Sequence, residues 1–218
     1  MASTSRLLGI TLLAVFGSLS GSSQAPAPKA EPPTPSAPAP GESNSNPGIA
    51  MIEHLLVSLG KFEQDGHPAG QKVGFEIPEK ALNDYLAYSL RNKPRPGISA
   101  MTVALLPQNQ VSVDVEIDFD SVKKWNPGMF PEALSGLLTG KRPLHADVTF
   151  ESKDGSFSFQ LKDAKGPDGQ TIVNKMMSTV LQSLGSRQPE SYDTSKPIPL
   201  PFGLKKIWTG RQLICGET

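Results

Sequence analysis

Cysteine is nearly absent from this 218-residue chain, which has only Cys215. One cysteine cannot close an internal disulfide, so the folded part must be held by its apolar core. Cys215 follows Leu213 and Ile214 and reads as a small strand residue; as a nucleophile it has no histidine near it in sequence. Histidine is scarce too, and His54, His67 and His145 show none of the spacings that bring imidazoles onto one metal ion. Charge of one sign is missing: 21 Lys+Arg balance 21 Asp+Glu, so no bulk field draws the chain onto nucleic acid. The basic pairs Lys123-Lys124, Lys141-Arg142 and Lys205-Lys206 are scattered and lack the interleaved aromatics that stack bases. No G-x-S-x-G, phosphate loop, dinucleotide glycine set or H-E-x-x-H occurs. These absences argue against an enzyme: the sequence offers no catalytic residues, no metal ligands and no cofactor site.

What is present begins at the N-terminus. Arg6 precedes the apolar run LLGITLLAVF (7–16), then GSLSGSSQA. A bilayer span takes about 20 apolar residues, so this run is too short. A basic residue, a short apolar core and small residues at Ser23 and Ala25 predict a secretory signal peptide, 1–25, cut after Ala25. Residues 26–48 hold eight of the 21 prolines. Such a stretch favours extended polyproline II and cannot bury a core, so it reads as a linker. The rest, 49–218, is long enough for a single core and has no repeat of fixed period. The expected location is the periplasm or the exterior.

Periodicity sorts this domain into elements. Ile49, Ile52, Leu55, Leu56 and Leu59 share a helical face in 49–62; QKVGFEI (71–77) is a short strand; Pro78 opens a helix whose stripe is Leu82, Tyr85, Leu86 and Leu90. Residues 98–106 and 110–119 alternate as strands around Pro107-Gln108-Asn109. Residues 141–152 and 156–163 flank Asp154-Gly155, a strong hairpin signal. Each long strand has one apolar and one polar face, the pattern of an antiparallel sheet covered on one side. The expected cover is 169–185, where Ile172, Val173, Met176, Met177, Val180, Leu181 and Leu184 recur at helical spacing. The C-terminus reads as an extended segment, a strand, a tight turn at Thr209-Gly210 and a last strand. The expected fold is α+β: a curved antiparallel sheet of hairpins packed on one long amphipathic helix plus shorter helices.

The polar face of VSVDVEIDFD (111–120) carries Asp114, Glu116 and Asp118, with Asp120 following. Alternate strand residues are about 7 Å apart. A straight row is neither the cage of oxygens that calcium needs nor a pair of carboxyls from different elements, so these acids read as a solvated face. The apolar inventory is the better functional candidate. On the strands it comprises Met101, Val103, Val113, Val115, Ile117, Phe119, Val148, Phe150, Phe157 and Phe159, and on the helix Met176, Met177 and Val180. Methionine adapts to variable apolar contacts, although each such residue singly fits core filling better. Trp125, Met129 and Phe130 mark a loop beside Lys123-Lys124 that plugs a sheet edge or, as the minority reading, lids a cavity or touches a membrane surface.

The order FEIPEKALNDYLAYSL (75–90), ISAMTVALLPQNQVSVDVEIDFD (98–120), PLHADVTFESKDGSFSFQLKDAKGPDG (143–169) and IPLPFGLKKI (198–207) resembles exported bacterial domains of the tubular lipid-binding, TULIP-like kind. The resemblance lies in element order: a strand leading into a helix with Leu82-Asn83-Asp84-Tyr85-Leu86, then hairpins, then Leu200-Pro201-Phe202-Gly203-Leu204 before the final strand. It implies a non-catalytic domain that binds a lipid or other amphiphile on the apolar face of a curved sheet. The rival expectation is an envelope protein-interaction or scaffold module, a cystatin-like helix on a sheet with a filled core.

Overall fold

The computed structural model describes residues 46–94, 97–125, 139–166, 169 and 196–218, Trp125 by its backbone alone. The expected signal peptide, most of the expected linker, residues 170–185 of the expected covering helix and the loop residues Met129 and Phe130 lie outside the described residues.

Helix α1 (Pro47–Gln64) starts where chemistry favours it. Proline at the first position needs no N–H there. The Asn46 side-chain oxygen accepts from the backbone N–H of Gly48 at 2.9 Å and of Ile49 at 3.4 Å, satisfying donors that the helix leaves orphaned. The helix thus takes in Pro47 and Gly48, ahead of the apolar stripe. Ile49, Ile52, Leu56, Leu59 and Phe62 are buried along one face. Strand β1 (Gly74–Pro78) runs directly into helix α2 (Glu79–Asn92), which buries Ala81, Leu82, Leu86 and Ser89 and packs against α1. The Asn46 amide also donates to Asp84 on α2 at 3.0 Å, tying the two helices together.

Strands β2 (Ile98–Leu106), β3 (Gln110–Asp118), β4 (Lys141–Lys153), β5 (Ser156–Lys165) and the two-residue β6 (Ile198–Pro199) form an antiparallel sheet in that order. The fold is α+β and this sheet is curved. Register shifts between Ile98 and Ala100 and between Asp147 and Val148 contribute, because a bulge bends and twists the strand that carries it. The β4–β5 hairpin closes at Asp154-Gly155, both at positive φ (51° and 76°), as a two-residue loop with matching strand twist requires.

A second antiparallel sheet has the order β1-β8-β7, where β7 is Lys206–Gly210 and β8 is Leu213–Glu217. It pairs the first strand with the last, Ile77 lying opposite Ile214. Polar clasps join the two sheets. Ile207 N donates to Ser152 Oγ at 2.9 Å, Thr209 N to Asn109 Oδ1 at 3.0 Å, and Thr209 Oγ1 to the Leu106 carbonyl at 2.6 Å. Ser152 and Thr209 are buried hydroxyl residues, and these bonds meet their polar demand.

The sequence places the last hairpin turn at Thr209-Gly210. The structure corrects this: Gly210 pairs with Leu213 and the turn is Arg211-Gln212, with Gln212 at φ 55°. Thr209 is committed to the strand by its clasp on Leu106 and Asn109. A second difference lies at Phe119, which ends a strand in the sequence reading. It instead opens a short helix, α3 (Phe119–Trp125), because the Asp118 carboxylate captures the N–H groups of Asp120 and Ser121.

One hydrophobic cluster runs through both sheets and both long helices. Its most deeply buried large side chains, Leu59 of α1, Leu105 of β2, Val113 of β3 and Leu204 of the 200–204 turn, come from four separate elements.

Candidate functional site

The apolar faces of the large sheet converge. Met101, Val103, Val113, Val115, Ile117, Val148, Phe150 and Phe157 are buried on the strands, and Phe119 is buried at the head of α3. All belong to the same cluster as Leu56 and Leu59 of α1, Leu82 and Leu86 of α2, and Ile207 and Ile214 of the small sheet. The protein's own side chains therefore seal the middle of this face. The β5 flank differs. Phe159, opposite Phe150, is only partly buried, as is Leu161, opposite Val148. Phe159 continues an aromatic row, its ring 6.2 Å from Phe157, which is 5.3 Å from Phe150. Met176, Met177, Val180, Met129 and Phe130 lie outside the described residues; Trp125 is the last residue of α3.

Residues 200–204, expected within an extended segment, form a turn instead and supply core residues with no period behind them. Leu200, Phe202 and Leu204 are buried in a turn in which Phe202 adopts φ 57°. A bulky residue in the left-handed region persists only where its surroundings hold it, and no hydropathy pattern announces that.

The carboxylates of the opposite face each have a partner. Asp114 bonds His145 Nδ1 at 2.8 Å across β3 and β4, and Glu116 accepts from the hydroxyl of Ser99. Asp118 accepts from Asp120 N and Ser121 N, each at 3.1 Å, and from Ser121 Oγ at 2.9 Å. Asp120 accepts from Gly140 N at 3.1 Å. The row that looks like a uniform wet face is thus divided into a cross-strand pair, an edge contact, a helix cap and a loop fastener.

The bonds from Ser121, backbone first, hold the Asp118 carboxyl below the ordinary carboxylate value. A depressed carboxyl contributes stability that is present above its unfolded value and lost as pH falls through its folded value. Asp118→Ala is therefore expected to destabilise the protein at neutral pH and to flatten the loss of stability on acidification. Urea unfolding at neutral pH and below about pH 4 tests it; parallel curves for the two proteins would remove the cap from the account.

Cys215 is buried in β8, opposite Glu76 and Trp208. Burial, with the Glu76 charge second, pushes its thiol above the ordinary value, away from the thiolate a nucleophile needs. His67 bonds Glu63 at 2.8 Å and packs beside Phe62, a role at the end of α1 rather than in a shared site. Among the described residues, no group of three His, Cys, Asp or Glu side chains is arranged to hold a metal ion, and no helix is long and apolar enough to cross a membrane. Comparison with protein-family models, curated proteins and solved structures finds no match to this chain, so its functional reading rests on the geometry of the sheet.

Proposed function

We propose that the protein is a non-enzymatic, exported cell-envelope module that binds the apolar part of a lipid or other amphiphile at the β5 flank of its curved sheet. The observation that supports this reading is the change in burial across one continuous face. Its centre is closed by the protein, while Phe159 and Leu161 stay partly open beside it. An apolar chain lying there would extend the core rather than replace it. Burying a phenylalanine side chain is worth about 1.5–3 kcal/mol, so Phe159→Asp is expected to weaken binding of an apolar fluorescent fatty-acid probe by about ten- to a hundredfold. Mature protein purified without detergent should also release an amphiphile into organic solvent, read by mass spectrometry. Absence of both extracted lipid and probe binding would defeat the proposal.

A second reading is favoured by the filled centre of the same face. With nine of the candidate ligand residues buried among side chains of α1, α2 and the small sheet, the domain fits an envelope interaction or scaffold module. It predicts that Phe159→Asp leaves the protein free of lipid, as before, and disrupts association with a protein partner instead.

A further inference from the structure

The face of the sheet away from the core carries a cluster that the lipid reading does not use. His145 on β4 lies opposite Asp114 on β3, and Asp147, two residues on, lies opposite Ser112. His145 Nδ1 is 2.8 Å from Asp114 Oδ1, and its Nε2 is 3.4 Å from Asp147 Oδ1. The Ser112 hydroxyl donates to that same Asp147 oxygen. Each ring nitrogen therefore faces a carboxylate.

A carboxylate only accepts, so both contacts ask the ring to donate. A neutral imidazole has a single N–H and satisfies one of them; the imidazolium has two and satisfies both. We propose that His145 is a proton-operated staple: charged, it holds β3 to β4 through Asp114 and locks Asp147 in place; neutral, it lets one of these contacts go.

The position gives the staple leverage. Asp114 lies between Val113 and Val115, and His145 between Leu144 and Ala146, all four buried. The proton thus acts on the back of the strand pair whose other face forms the centre of the core. Neighbouring charges do not oppose it strongly. On β5, Lys165 lies opposite His145 and Asp163 opposite Asp147, and these two pair with each other at 3.2 Å. On β3, Glu116 is engaged by Ser99, and β2 presents Thr102 and Ala104, both uncharged, opposite Asp114 and Ser112. The bond to Asp114, ahead of the desolvation that opposes it, raises the His145 titration above the ordinary histidine value. For a group raised on folding, the added stability is complete below the unfolded value and is lost as pH rises through the folded one. The cluster is partly exposed, so salt weakens it.

Two measurements on the mature chain test this. Ring NMR should show the His145 midpoint above the ordinary histidine value, falling in Asp114→Asn. Thermal unfolding from about pH 5 to about pH 9 should show wild type losing its stability advantage over His145→Gln as pH rises, with Asp114→Asn removing most of that change. A His145 midpoint at or below the ordinary value, or parallel melting curves for wild type and His145→Gln, would overturn the staple. The ring titration is read on the unaltered protein, so it decides the matter even if a variant fails to fold. Neither measurement involves lipid, so the outcome is independent of the proposed binding function.

Discussion

Asn83→Ala is expected to lower the unfolding free energy by about 2–4 kcal/mol, because it leaves two backbone groups of a sheet edge without partners. Strand β2 ends the five-stranded sheet, and helix α2 lies beside it. The Asn83 amide donates to the Val103 carbonyl at 2.8 Å, and its oxygen accepts from Val103 N at 2.8 Å. One side chain thereby imitates a paired strand residue, using an acceptor and a donor in the same fork. Glu79 continues the edge by accepting from Leu105 N at 2.6 Å, and Gln212 N donates to the Leu105 carbonyl at 3.0 Å. Such a covered edge cannot template pairing with another chain. Aspartate at position 83 keeps the acceptor but turns lone pairs toward the Val103 carbonyl, so Asn83→Asp should fail to rescue. Urea unfolding with an unchanged m value measures the loss. A loss under about 0.5 kcal/mol would mean that water replaces the amide at no cost, and the edge-sealing role would fall.

The second large effect is expected at Gly97, the residue leading into β2. It has φ 77°, where an L side chain is strained. A Cβ there would lie 2.2 Å from Val122 Cγ2 on α3 and 2.8 Å from the Asp118 carbonyl oxygen. Neither neighbour is free to retreat: Val122 is buried, and Asp118 N donates to the Gly97 carbonyl at 2.7 Å. Adding left-handed strain to overpacking, Gly97→Ala should cost about 2–5 kcal/mol. The mechanism makes a sharper claim than the magnitude. Val122→Ala destabilises by itself, but in the Gly97→Ala background it also relieves the worst contact, so its cost there should shrink. A double-mutant cycle by denaturant unfolding reads this coupling. Strict additivity of the two costs would show that α3 is not what confines Gly97.

Both effects depend on contacts that are distant in sequence, and the same distinction separates what was legible from what was not. The alternation of Val111, Val113, Val115 and Ile117 with polar neighbours revealed a strand and identified its buried face, because a strand points successive side chains to opposite sides. Asp154-Gly155 marked a hairpin because few residues tolerate its positive φ. The stripe of α2 marked a helix for a similarly local reason. Asn83, on that helix, stood out only as part of the Leu82-Asn83-Asp84-Tyr85-Leu86 stretch, with no role of its own. Its role appears only when Val103, 20 residues on, is brought beside it. The C-terminal turn was misplaced because Gly210 is a turn signal locally, whereas the clasp of Thr209 on Leu106, 103 residues away, keeps it in a strand.

The candidate site divides along the same line. By itself the sequence determined which faces are apolar, since a period of two or 3.6 is a property of the local backbone. The tertiary structure decided that the middle of the apolar face joins side chains of α1, α2 and the β1-β8-β7 sheet in one buried cluster, while Phe159 and Leu161 pack against it only partly buried. It also decided that the Asp114 carboxylate has a histidine partner rather than water alone. Register selects such partners; no tight turn joins β3, which ends at Asp118, to β4, which begins at Lys141, so their register is set by the packing of whole strands and no short stretch of sequence contains it.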